Sequence, residues 1–166
     1  MYQQIVNRDN GDVLFEGDYV DKRDCVLGAL DKGIHMPRAN LRQECLCHLD
    51  FSYLNLTHAD FTGSNIICAL FTGAKLFNTC FVGAILAQDV RAISGPVRRA
   101  TRADGFEFFL WPTDAGWRVM AGCRFFDMNK AWRHWEMTRG NTARGDESLD
   151  ILTMFELHIQ RVGECK

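Results

Sequence analysis

Four residues in the first half of the chain have the types a soft metal prefers: Cys45, Cys47, His48 and Cys68. Three thiols and one imidazole suit zinc. The spacing speaks against it, because Cys45-x-Cys47 lacks the second paired motif of a zinc framework. Cysteine as a small surface filler is the reading taken, and no metal is assigned. Cys123 and His134 are a second constellation, since a thiol and an imidazole can act as nucleophile and base. No third orienting group and no oxyanion motif accompanies them. Cys123 alternates with Val119 and Ala121 as a strand core residue does, and His134 stands beside Trp135 on a helical stretch. No catalytic residue is assigned, and the chain reads as a non-enzyme with no cofactor. Third, Arg98, Arg99 and Arg102 follow Pro96, with Arg91 nearby. Clustered guanidiniums can bind phosphates. Asp89 and Asp104 flank them and the formal charge of the chain is −2, so a solvated linker is favoured there and nucleic-acid binding is the alternative.

The elements that would position these groups follow an unusual period. From Met36 to Leu86 an apolar residue recurs at every fifth position, eleven times: Met36, Leu41, Leu46, Phe51, Leu56, Phe61, Ile66, Phe71, Leu76, Phe81 and Leu86. Two residues earlier stands something small or apolar, such as Ala39, Ala59, Ala69, Ala74 or Ala84. A period of five fits neither a helix nor a strand. A fixed short period predicts a stacked solenoid.

The units Ala39-Asn40-Leu41, Ala59-Asp60-Phe61-Thr62-Gly63, Ala69-Leu70-Phe71-Thr72-Gly73 and Ala74-Lys75-Leu76 resemble the pentapeptide-repeat family. The resemblance covers about a third of the chain. It implies a right-handed square β-helix with four five-residue sides, so that residues twenty apart stack. Phe51 then falls on Phe71 and Phe61 on Phe81, while Leu46, Ile66 and Leu86 share a column, as do Met36, Leu56 and Leu76. Glu44 breaks the pattern, because its slot faces inward and an unpaired buried carboxylate is costly. It is expected to reach solvent or a partner in the N-terminal segment.

The expected fold class is mainly β: a short quadrilateral β-helix of under three coils over residues 34–88, a hairpin-helix cap over 1–33 and a small α+β module over 97–166. In the cap, Asp9-Asn10-Gly11 is a hairpin-turn signal. Asp21 is placed to cap a helix carrying Cys25, Val26, Ala29 and Leu30, and Gly33 to end it. Ala92-Ile93-Ser94-Gly95-Pro96 reads as a linker. Beyond it, Phe106 to Trp111 and Trp117 to Phe125 read as two strands. Asp127 and Asp146 are placed to cap two helices, with stripes Met128, Ala131, Trp132, Trp135 and Leu149, Leu152, Phe155, Ile159. The outward solenoid positions turn apolar late, at Ile67, Leu70, Phe77, Val82 and Ile85. Such a patch is rarely left in water. Cover by the C-terminal module is favoured, and a homodimer comes second.

Composition bounds the function. There is no run long enough to cross a membrane and no signal-peptide pattern, and seven irregularly spaced cysteines suit a reducing cytoplasm. Some members of the family mimic duplex DNA and bind DNA gyrase. From Met36 to Gln88 this chain has three basic residues against three acidic ones, whereas a DNA mimic needs dense negative charge. At ~4.8 Å per layer, under three coils give a rod of roughly 13 Å, too short for a gripped DNA segment. The order of parts, ending in Ala121-Gly122-Cys123-Arg124-Phe125 and His134-Trp135, resembles small pentapeptide-repeat proteins of phages and prophages. The expectation is a non-enzymatic interaction scaffold in a bacterial cytoplasm, inhibiting a defence or DNA-metabolism protein. The interface candidates are the late apolar positions and the Trp132 and Trp135 helix.

Overall fold

The computed structural model describes residues 1–93, 97–122, 124–139 and 141–164. Ser94, Gly95 and Pro96 of the expected linker, and Cys123, lie outside the described residues. The chain divides into two compact units, Met1–Ser94 and Gly95–Lys166.

In the first unit, β1 (Tyr2–Val6) and β2 (Val13–Asp18) pair antiparallel, with Ile5 opposite Phe15. Side chains shape the turn between them. The amide oxygen of Asn7 accepts from the Asp9 N–H at 2.9 Å, and that of Asn10 from the Asp12 N–H at 3.0 Å. Asp21 caps α1 (Lys22–Asp31) by accepting from the Asp24 N–H at 2.8 Å. Gly33, at φ +62°, closes the helix end, its N–H reaching the Leu30 carbonyl at 2.8 Å. Ile5, Cys25, Val26 and Ala29 are fully buried.

From Met36 the backbone turns once in every five residues. The residue two after each apolar centre is left-handed ten times in succession: Arg38, Gln43, His48, Tyr53, His58, Gly63, Cys68, Gly73, Asn78 and Gly83, with φ between 54° and 72°. A left-handed residue with a Cβ costs about 1–2 kcal/mol, so these corners must be held from outside. Parallel bridges hold them, joining Asn40 to Asp60, Cys45 to Asn65, Asp50 to Leu70, Asn55 to Lys75, Asp60 to Cys80 and Asn65 to Ile85. The separation is always twenty residues, four five-residue segments per circuit. The ladder repeats regularly: the Leu41 N–H donates to the Asp60 carbonyl and the Asp60 N–H to the Ala39 carbonyl, both at 2.9 Å. Side chains just before the centres brace the segments. Asp50, Asn55, Asp60 and Asn65 each accept from the N–H two residues on, at 2.9 to 3.1 Å.

The centres point inward and stack. Phe51 lies flat on Phe71 with ring centroids 5.4 Å apart, and Phe61 on Phe81 at 5.2 Å. The two columns meet edge to face at 5.5 to 5.8 Å, the arrangement ring quadrupoles favour. The circuits are closed at both ends by backbone pairing. At the start, the Asn40 N–H donates to the Val6 carbonyl and the Arg8 N–H to that of Arg38. At the end, β3 (Ile85–Ala87) folds back on β4 (Val90–Arg91), and Ala92 pairs with the backbone of Gly83 and Ala84. Unpaired strand edges invite foreign strands, and this pairing removes them.

The second unit contains more strand than its pattern suggests. A four-stranded antiparallel sheet runs in order through β5 (Arg98–Thr101), β6 (Glu107–Trp111), β7 (Arg118–Ala121) and β8 (Arg124–Asp127). Two expectations are corrected here. The arginine-rich stretch is strand β5, paired with β6 from Arg98 opposite Leu110 to Thr101 opposite Glu107, and is no solvated linker. The stretch Trp117 to Phe125 is two strands, β7 and β8, with Gly122 at φ +60° between them. Asp127 caps α2 (Met128–Arg139), accepting from the Lys130 N–H at 2.8 Å. The second helix, α3 (Ala143–Glu164), opens three residues before Asp146. Its cap is Thr142, whose hydroxyl accepts from the Gly145 N–H at 3.1 Å. Phe108 and Leu110 of β6 and Val119 and Ala121 of β7 form one core with Ala131, Trp135, Ile151, Leu152 and Phe155 of the helices.

Candidate functional site

A twenty-residue circuit decides which outward residues can act together. Ile67 and Ile85 flank the column of Leu46, Ile66 and Leu86, and so share a side. Leu70 precedes Phe71 on the next side, Phe77 follows Leu76 on the third and Val82 follows Phe81 on the fourth. The late apolar positions are therefore distributed around the solenoid and do not form one patch, which corrects the expectation. Their exposure differs too. Phe77 is 68% exposed and Val82 42%, whereas Ile67, Leu70 and Ile85 are half-buried. Phe77 meets the His58 ring edge to face at 5.8 Å, and Tyr53, also largely exposed, lies over Gly73. Phe77 is the one expected interface residue that stands far out of the solenoid.

Two carboxylates mark where charge enters this unit. Asp60 occupies an outward position yet is only 2% exposed, because Arg42 at 3.1 Å and Arg8 at 3.6 Å converge on it. Burial pushes its carboxyl up. The hydrogen bonds from the Thr62 hydroxyl and N–H and the two guanidiniums outweigh that and hold it below the usual range. Glu44 is half-buried near the start of α1. Burial pushes its carboxyl up, Lys22 pulls it partly back and Asp21 adds to the rise.

The four soft donors do not converge. Cys45 and Cys47 face each other with sulfurs 3.7 Å apart. Burial raises the Cys47 thiol, and the adjacent Cys45 raises it further. Among the described residues no group of three or more His, Cys, Asp or Glu side chains is close enough to hold a metal ion. His134 rests against the rings of Phe126 at 5.2 Å and Trp135 at 4.8 Å.

The three arginines of the junction are separated by strand alternation and by partners. Arg98 donates from Nε to the His158 imidazole at 3.4 Å, and burial together with Arg98 holds that imidazole below its ordinary pKa. Arg99 pairs with Glu107 at 3.6 Å, on the opposite sheet face. Arg102 is only 5% exposed: its guanidinium grips the Asp104 carboxylate at 2.7 and 2.8 Å and donates to the Ser148 hydroxyl at 3.0 Å. They form no common phosphate-binding surface, which corrects that candidate set. The Trp132 and Trp135 face is corrected as well. Trp135 is 3% exposed in the core of the second unit, and Trp132 packs against that core with its indole N–H on Glu156 at 2.8 Å.

The family model of pentapeptide repeats matches residues 55–88, in eight copies. These residues are pentapeptide repeats. The ladder continues upstream of the match, since Asn40, Cys45 and Asp50 make the same twenty-residue bridges. No curated protein and no solved structure matches the chain. Pentapeptide repeats imply a β-helix-like solenoid and, as a class, serve as protein-interaction scaffolds without catalysis of their own. Among the described residues no helix of the chain is long and apolar enough to cross a membrane.

The second unit holds a feature that sequence reasoning missed. A cavity of about 540 Å³ is lined by Arg102, Arg124, His134, Arg144, Thr138 and Phe106 among others. They come from the loop after β5, the start of β8, the middle of α2 and the first turn of α3, so no local motif announces them.

Proposed function

We propose that this pentapeptide-repeat protein is a non-enzymatic scaffold that binds another protein through its solenoid. The proposal takes residues 34–88 as a right-handed quadrilateral β-helix, residues 1–33 as its cap and residues 97–166 as an appended α+β module. The observation that carries the reading is Phe77: a large ring, 68% exposed, on a backbone fixed by inter-coil hydrogen bonds. A rigidly presented aromatic loses little freedom on binding, which is why such residues anchor interfaces. The balanced charge of the repeats favours a protein over a nucleic-acid partner, because phosphate binding needs a basic surface. The same balance, with the short rod, disfavours mimicry of DNA toward gyrase.

The resemblance in the order of parts to small phage and prophage proteins supports a narrower form. In it the partner is a bacterial defence or DNA-metabolism protein, inhibited in the host cytoplasm, with self-association into a homodimer as a further element. The experiment is a tagged pull-down from nuclease-treated bacterial lysate with wild-type and Phe77→Ala protein, read by mass spectrometry. One host protein kept by the wild type and lost by the variant is expected. Loss of every partner on nuclease treatment would transfer the function to nucleic acid. A phage-challenge assay without effect would remove the anti-defence role.

A further inference from the structure

We infer that the cavity of the second unit binds a nucleoside phosphate, with the phosphate held between Arg124 and Arg144 over the buried Arg102. Among the described residues three guanidiniums line it and no carboxylate does. Asp104, just outside the lining, is paired with two of these guanidiniums. Asp104 grips Arg102 and takes Arg144 Nε at 3.4 Å, and is held down to about 2 by its bonds from Arg102. Glu147 accepts from the Ala103 N–H at 2.7 Å.

The three arginines are not equivalent. Arg102 is fixed, with its guanidinium carbon 5.0 Å from the Phe106 ring centroid and its nitrogens on Asp104 and Ser148. Asp104 balances its charge, so Arg102 is a fixed part of the wall and the excess positive charge comes from Arg124 and Arg144. Arg144 is exposed and, among the described residues, is paired only on its Nε edge, which leaves its terminal nitrogens for a ligand. Arg124 is exposed, and among the described residues its guanidinium makes neither an ion pair nor a hydrogen bond. Planar guanidinium forks match phosphate oxygens two at a time.

The volume sets the rest of the ligand. A site of 540 Å³ falls within the roughly 300–1,000 Å³ range of small-molecule pockets, far more than a bare phosphate fills. Phe106 and His134 add ring carbons to its wall, each already packed on one side by Arg102 or Phe126, and a planar base would pack on what they leave open. The shared chemistry is a nucleoside phosphate, free or at the end of a strand. This site lies wholly within the second unit and does not depend on the protein-partner reading of the solenoid.

The test is calorimetric titration of the full chain with adenosine monophosphate, inorganic phosphate, adenosine and a 5′-phosphorylated dinucleotide. Binding of the monophosphate is expected, weakened by added salt and tighter than that of either fragment. Arg124→Ala should weaken it by about tenfold or more, the scale of one charge-assisted hydrogen bond. Arg124 is exposed, and an unchanged circular dichroism spectrum would show that the variant folds. Arg133→Ala, exposed on α2 outside the lining, should leave affinity unaltered. Comparable affinity for the dinucleotide would extend the site to strand ends, and its absence would restrict it to free nucleotides; either keeps the proposal. It is overturned if the monophosphate does not bind at millimolar concentration, if adenosine or inorganic phosphate binds as tightly, or if Arg124→Ala has no effect.

Discussion

Two phenylalanines sixteen positions apart occupy opposite environments, and truncating each separates core packing from surface presentation. Phe61 is fully buried, stacked on Phe81 at 5.2 Å and edge-on to Phe51 at 5.5 Å and Phe71 at 5.8 Å. Truncating a buried phenylalanine to alanine costs about 3–5 kcal/mol. The upper half of that range applies here for two reasons. Each lost ring pair adds ~0.5–1.5 kcal/mol beyond burial. The neighbouring centres also sit on segments pinned by inter-coil bridges, which hinders collapse into the cavity. Phe61→Ala should therefore destabilise the protein by about 4–5 kcal/mol, and Phe61→Leu, which keeps most of the volume, by about 1–1.5 kcal/mol. Phe77→Ala removes a ring that is 68% exposed and should stay within about 0.5 kcal/mol of wild type.

The assay is urea unfolding followed by far-ultraviolet circular dichroism. With a slope near ~2 kcal/mol per molar, Phe61→Ala should lower the midpoint by about 2 M while Phe77→Ala leaves it in place. Hydrogen exchange by mass spectrometry localises the loss to peptides within residues 36–92, whose amides form the ladder. If Phe61→Ala and Phe77→Ala differ by less than about 1 kcal/mol, the stacked aromatic columns do not carry the stability assigned to them.

Other expectations can be tested on the same material. The Glu44 carboxyl is raised, so its contribution is fully present in acid and lost as pH rises through the raised value. Glu44→Gln should raise the unfolding midpoint at pH 7 and leave it unchanged below about pH 4; an equal gain at both would refute burial as the cause. Asp60 is the opposite case: its lowered carboxyl gives stability present at neutral pH and lost as pH falls through the depressed value. Asp60→Asn should lose most of its disadvantage in strong acid, measured as midpoint against pH, and a pH-independent difference would contradict the ion pairs. Tyr53→Gly and Cys68→Gly relieve left-handed corners that cost a residue with a Cβ about 1–2 kcal/mol. Loss of unfolded-state restriction offsets part of that, so each should be neutral to stabilising by about 1 kcal/mol, and a marked loss of thermal stability would show that the side chain itself is needed.

Much of the solenoid is legible because each five-residue segment meets the same demands. An apolar centre points inward, a residue that is mostly small or apolar stands two places earlier, and Asp50, Asn55, Asp60 and Asn65 brace their segments from just before the centre. These demands leave a period that no helix or strand imitates. The corner itself leaves almost no trace. Arg38, Gln43, His48, Tyr53, His58, Cys68 and Asn78 all accept a left-handed φ there, because hydrogen bonds from neighbouring circuits impose the conformation and glycine is not required. The same geometry explains why the late apolar residues form no single patch. Ile67, Leu70, Phe77, Val82 and Ile85 are close in the sequence, but every fifth residue moves to a new side, so linear clustering disperses around the coil. In the second unit the errors arise from partners far away in the chain. Arg98-Arg99-Ala100-Thr101 has little strand character of its own, and pairing with β6 makes it an edge strand, where charged side chains are tolerated and protective. Arg102 looks like a free cation until Ser148, forty-six residues on, and Asp104 enclose it. The cavity beside it gathers Arg124, His134 and Arg144 from separate elements. Local pattern can reveal a repeating backbone, whereas a site assembled across a sheet and two helices is encoded only in how those elements meet.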